Sequence, residues 1–194
     1  MITHLKTMLF SAFIVSAMLF SLTSCKSETK PKDPEEVAED MNKPNDDASR
    51  ERDERFLMKA AEINLEEIQL GQLAQQKGTM TEVKEMGKMM QDAHVKSLAE
   101  LTSLASSKSI AIPTTSTKDV QDAYQKMSEK TGNDFDKDYC DRMVMAHKDA
   151  INTFESAVKE CKDPDIVAWA TASLPTLRTH LDHANMCQEK AKKM

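Results

Sequence analysis

Apolar residues recur three and four positions apart along most of this chain, the spacing that lines one face of an α-helix. Phe56, Ala60, Ile63, Leu70 and Ala74 form the first such stripe. They predict a helix over residues 52–77, stopped by Gly78. Val83, Met86, Met90, Ala93, Leu101 and Leu104 predict a second helix over 81–107. The segment SSKSIAIPTTST follows, and Pro113 keeps it from being helical. A short helix over 118–130 carries Val120, Tyr124 and Met127 inward, and TGND ends it and caps the next. A third long helix over 134–161 turns Phe135, Tyr139, Met143, Ala146, Ala150, Phe154 and Ala157 inward. A fourth over 164–192 does the same with Ile166, Ala170, Leu174, Leu177, Leu181 and Ala184. Pro175 lies inside that last helix and is expected to kink or split it near Ala172. No stretch alternates with the period of two that a half-buried strand needs.

Four long helices as two hairpins, joined by a crossover with its own short helix, predict an all-α four-helix bundle of the ferritin-like kind. An up-down bundle with a loose insertion is the competing topology.

The inner faces are not wholly apolar. Glu67 falls on the first stripe, between Ile63 and Leu70, where a carboxylate is costly unless paired, protonated or bound to a cation. His94 follows Met90 by one turn on the second stripe, and His147 follows Met143 by one turn at the edge of the third. The hairpin turns act as mirrors. Folding back between residues 163 and 164 sets His147 level with His180, and Cys140 level with Cys187. Folding back near Gly78 sets Glu67 level with Met90, with His94 about 6 Å along the axis. Glu67, Met90, His94, Met143, His147 and His180 are therefore candidate metal ligands in one zone. Imidazole and thioether with one carboxylate form a soft set that favours copper over iron. No Glu-x-x-His occurs, so the helix-borne ligand pair of di-iron proteins is absent. The bland reading stays open beside this one. Fourteen methionines mostly fill cores, and Glu67 bonding a histidine would make a closed polar network with no metal.

The N-terminus reads differently. Lys6 precedes the apolar run MLFSAFIVSAMLFSL, and LTSC (residues 22–25) follows it. The run is too short for a membrane span and ends in small residues, the pattern of a secretory signal over residues 1–24. LTSC resembles the bacterial lipobox, which makes Cys25 the expected lipidation site and anchors the chain to a bilayer. Lys26, not Asp, after the cysteine points to the outer membrane, facing the periplasm or the exterior. Residues 25–50 hold three of the six prolines and many charges, and are expected to be a disordered tether. Residues 51–194 then form one helical domain.

Removing residues 1–24 leaves the mature chain at net charge −7, which argues against nucleic acid as a partner. Export places Cys140, Cys161 and Cys187 in an oxidising compartment. Cys140 and Cys161 stand about 31 Å apart on one helix, so level-matching favours a Cys140–Cys187 disulfide, with three buried thiols as the alternative. There is no Cys-x-x-Cys, no Gly-rich phosphate loop and no G-x-S-x-G, which leaves an enzyme reading little support.

Phe56 with Ala60–Ala61, LGQLA (70–74), His94, Pro113, GNDFDKDY (132–139), His147, DPD (163–165) and LPTLRTH (174–180) occur in order over residues 56–185. In this the chain resembles the exported bacterial domain-of-unknown-function family 4142, regarded as ferritin-like. The resemblance implies the fold and the envelope location but no activity. That family usually has Asp before the histidine of the second helix. Here the position is Ala93, and Asp92 points about 100° away around the helix. The expectation from sequence is a non-enzymatic binding or protective lipoprotein that holds a soft metal ion. A structural or interaction protein with a closed polar core is the alternative.

Overall fold

A computed structural model describes residues 31–42 and 48–194, all helical, with six helices and no strand among them. The signal over residues 1–24 and Cys25 lie outside the described residues. The helices are α1 (Pro34–Met41), α2 (Ala48–Lys77), α3 (Thr81–Ser107), α4 (Lys118–Ser128), α5 (Gly132–Glu160) and α6 (Pro164–Ala191). Among the described residues, no helix is long and apolar enough to cross a membrane.

The sequence-predicted long helices stand within a few residues of their expected bounds, with two differences. Residues 34–41 are helical, although the proline and charge content predicted a tether there. Asp33 caps α1 by accepting from Glu35 N at 2.9 Å, and Pro34 starts it with a fixed φ. Ala38 is buried, and Asn42 exchanges two hydrogen bonds with the backbone of Ala111, at 2.9 and 2.7 Å. A short helix with one apolar contact and a good cap therefore docks where composition alone argued against order. The second difference is α6, which runs unbroken past Pro175. The proline deprives the Thr171 carbonyl of its helical donor, but Thr171 and Pro175 are both exposed, on the face of α6 where solvent can replace a lost helical donor.

α2 packs along α3, and α5 along α6. The 78–80 turn and the 161–163 turn are too short for anything but antiparallel neighbours. The two hairpins also meet antiparallel. Arg142 on α5 bonds Glu66 in the middle of α2, with Nε to Oε1 at 2.7 Å. Lys190 near the end of α6 pairs with Glu82 at the start of α3 at 2.8 Å, and Lys108 just after α3 reaches Asp163 and Asp165 at the start of α6. The connection over residues 108–131 must then travel the length of the helices, since α3 ends beside the α5–α6 turn and α5 begins beside the α2–α3 turn. α4 lies along that route against α2 and α5. Buried Thr117 fixes it by capping α4 and donating to Glu62 Oε1 on α2 at 3.0 Å.

Each hairpin turn is tied by an aspartate from the other hairpin. Asp136, fully buried on α5, accepts from Thr79 N at 3.0 Å and Met80 N at 2.8 Å, and also from the Thr79 hydroxyl. Its charge sits at the N-terminus of α3, where free N–H groups and the helix dipole favour an anion. Asp53 on α2 accepts from Lys162 N at 3.0 Å and Asp163 N at 3.2 Å at the opposite end. Gly71 and Gly87 bring α2 and α3 together closely, since a Cβ on Gly71 would stand 2.6 Å from the Gly87 carbonyl oxygen. Cys140 and Cys187, with Cα atoms 5.7 Å apart, join α5 to α6 as a disulfide, and Cys161 is free and buried.

Asp136→Ala removes the acceptor of three donors on Thr79 and Met80, and is expected to cost about 1–3 kcal/mol. Replacing the exposed Asp149 by Ala is expected to stay within about 0.5 kcal/mol. Urea unfolding of the two variants checks this, and equal midpoints would contradict the tie.

Candidate metal centre

The core has two apolar halves with a polar layer between them. One cluster holds Phe56, Leu57, Ala60, Leu101, Phe154, Ile166 and Leu177, and the other Leu70, Leu73, Met90, Phe135, Tyr139, Met143 and Ala184. On every long helix the break between the clusters falls at polar residues. These are Asn64 and Glu67 on α2, His94 on α3, His147 on α5 and His180 on α6. All five are buried, at 2, 2, 4, 1 and 5 % exposure.

The three imidazoles converge. Their ring centroids are 5.3–5.8 Å apart, and one ring nitrogen from each lies within 4.8 Å of the other two. Hydrogen bonds fix two of the tautomers. Asn64 Nδ2 donates to the Ala60 carbonyl at 2.7 Å, which turns Oδ1 toward His94. His94 Nδ1 is 3.0 Å from that oxygen and donates to it, leaving a lone pair on Nε2. His147 Nδ1 donates to the Met143 carbonyl at 2.9 Å, leaving a lone pair on its Nε2. Neither Nε2 has a hydrogen-bond partner, nor does His180 Nδ1.

Burial keeps the three rings neutral. His94 lies well below the usual histidine range, through burial first and then through His147 and His180. Burial lowers His147, against the opposing pull of the Met143 carbonyl. Burial, His147 and His183 bring His180 down to about 4. Glu67 is pushed the other way, up to about 8, by burial and then by Glu66, with Arg142 opposing. Its Oε1 is 3.7 Å from His147 Nδ1, which is ion-pair range, yet burial shifts both groups toward their neutral forms. The His147 proton is directed to the Met143 carbonyl, so this is a neutral contact and not a salt bridge. Glu67 Oε2 is also without a partner, as is the buried Tyr139 hydroxyl within electrostatic reach of Glu67.

Of the six sequence-predicted candidates, the structure gathers His94, His147 and His180 and sets Glu67 beside His147. Met90 and Met143 are fully buried within the second apolar cluster. Asp92 points outward and pairs with Lys88 at 2.7 Å, and His183 is exposed. Asn64 is a residue the sequence reading missed. The first stripe was drawn through Ile63, which is only half-buried, although Asn64 lies four residues after Ala60 and fits the helical repeat equally well. A polar residue one turn from Glu67 on the same face was the available signal.

Three buried imidazoles with one ring nitrogen each within 4.8 Å of the other two could hold a transition-metal ion. Two of them carry the hydrogen bond that orients metal-bound histidines, from the far ring nitrogen to a backbone or side-chain oxygen. Nitrogens bound to one ion stand about 3.2–3.5 Å apart, given bonds of about 2.0 Å. Binding therefore requires the rings to close inward from the present spacing.

The family model of a domain of unknown function matches residues 38–187, most of the chain. The chain belongs to the DUF4142 family. The polar layer lies wholly inside the matched DUF4142 region, and Cys25 lies before it. No curated protein and no solved structure matches the chain.

The raised pKa of Glu67 has a consequence for stability in metal-free protein. A carboxyl raised from 4.5 to about 8 in the folded state adds stability at pH values below 4.5, and that contribution is lost as pH rises from 4.5 to about 8. Glu67→Gln has nothing to ionise. Urea unfolding with chelator present is expected to show the Gln variant gaining on the native chain across that window, by on the order of 3–5 kcal/mol, and level above it. A difference independent of pH would show that Glu67 ionises normally.

Proposed function

We propose that this is a cell-envelope lipoprotein whose helical domain binds one transition-metal ion through His94, His147 and His180, as a binding or protective module rather than an enzyme. One observation carries the reading. Three buried imidazoles from three helices, each with a ring nitrogen that has no hydrogen-bond partner, bring one ring nitrogen apiece within 4.8 Å of the other two. Unpartnered buried polar atoms are rare and cost about 1–3 kcal/mol each, so a group of them calls for a guest. Imidazole suits copper, zinc, nickel and iron, and copper binds tightest among divalent ions of the series. Copper is therefore the first candidate, with zinc its competitor. Iron is disfavoured because the group that converges among the described residues is three imidazoles without a carboxylate.

We read the fold as a ferritin-like four-helix bundle. All four neighbouring long-helix pairs are antiparallel, and a connection of bundle length joins the hairpins, which is the one-crossover arrangement. The apolar run over residues 8–22 and the LTSC motif support export and lipidation at Cys25, with the bilayer as partner. The acidic balance of the mature chain disfavours nucleic acid.

Elemental analysis of protein purified from the envelope fraction is expected to find about one copper or zinc per chain. His94→Ala and His147→Ala are each expected to lower affinity for the ion at least a hundredfold while the far-ultraviolet helical signal is kept. Metal-free native protein, with both variants less stable, would instead support a closed polar core. Cys25→Ser is expected to abolish palmitate labelling and move the protein from membranes to the soluble fraction. Unchanged labelling would overturn the lipoprotein reading.

A further inference from the structure

A cavity of about 420 Å³ leads down to two of the three imidazoles. Lys96, Glu100 and Thr176 on its rim are exposed, whereas Asn64, His94 and His180 at its floor are buried. Ile63, Phe154, Trp169 and Leu177 wall it between. Its size is that of a small-molecule site. His147 and Glu67 do not line it, so it meets the layer at His94 and His180.

We propose that this cavity takes a small organic anion with an apolar body, of the aryl carboxylate class, whose carboxylate completes the coordination of the ion. The inference rests on the metal reading above and extends it. Three protein ligands leave a position free, which is the pattern of metal sites that exchange a ligand and not of sites closed for structure. Three neutral imidazoles cancel none of the charge of a divalent ion, so an anionic donor is preferred in the free position. Glu67 stands beside His147, away from the cavity, and does not fill that role from this side.

The walls decide the body of the ligand. Phe154 and Trp169 pack with ring centroids 5.4 Å apart and face the cavity with Ile63 and Leu177. The Ser173 hydroxyl donates its proton to the Trp169 carbonyl at 2.8 Å. A flat apolar group gains by lying against these surfaces. At the mouth, the Lys96 ammonium lies 3.9 Å from Glu100 and is largely exposed, so it offers an incoming anion a cation that a weak pair does not hold.

The test uses the mature folded protein loaded with cobalt(II), whose visible spectrum reports ligand exchange. The ion is first counted per chain, and acetate and benzoate are then titrated. One ion per chain is expected, with benzoate binding at least tenfold tighter than acetate. Ala172→Trp plants a large side chain on the exposed rim two turns from His180, and Thr176→Trp does so one turn nearer. Each is expected to keep one ion and to bring the benzoate-to-acetate ratio close to one. An ion bound with equal affinities for the two acids overturns this inference and leaves the metal site standing, as does a benzoate preference that survives both variants. Failure to bind any ion overturns the metal reading and this inference with it.

Discussion

A layer of polar groups crosses the middle of an apolar core, and the rest of the structure depends on how its cost is met. Glu67 Oε2, the Tyr139 hydroxyl, His94 Nε2, His147 Nε2 and His180 Nδ1 are buried with no hydrogen-bond partner. At about 1–3 kcal/mol each, they are together comparable to the whole stability of an ordinary domain, about 5–15 kcal/mol. A core built only for stability would place leucine at these positions. Burial has already driven the rings to their neutral forms, so protons compete little for the lone pairs near neutral pH. A cation is a guest suited to the Nε2 lone pairs that the His94 and His147 hydrogen bonds leave free.

The helices hold the layer in register by ties placed far from it. Asp136 binds the α2–α3 turn and Asp53 the α5–α6 turn, so neither hairpin slides along the other without breaking buried hydrogen bonds. The Cys140–Cys187 disulfide fixes α5 against α6 two turns from the imidazoles. The glycine contact between Gly71 and Gly87 sets the spacing of α2 and α3 one turn from Glu67. A ring moved by one helical residue would turn away from the others, which makes this longitudinal order a precondition for any common ligand.

Much of this was legible in the residue order, because helical periodicity and short turns are local signals. The 161–163 turn set His147 opposite His180 by simple level-matching, and the same rule paired Cys140 with Cys187. What escaped was information that lives in tertiary contacts. Asn64 was passed over because Ile63 competed for the same face, and hydrophobicity drew the stripe one residue away. Helix α1 was hidden by prolines and charge, since its stability comes from an Asp33 cap and the bonds of Asn42 to distant Ala111. The unbroken course of α6 goes with Pro175 facing solvent, a position on the far side of the apolar stripe that the helical repeat already implied. The cavity under Trp169 arises between α3 and α6 and has no signature along either helix alone.

Anomalous diffraction from crystals of the copper-loaded mature protein, collected at the copper edge, tests the central claim most directly. The account predicts a single strong peak within about 2.0–2.2 Å of one nitrogen from each of His94, His147 and His180, with the rings drawn closer than in the metal-free form. An ordered water among three unmoved rings, with copper absent there or bound elsewhere, would contradict it.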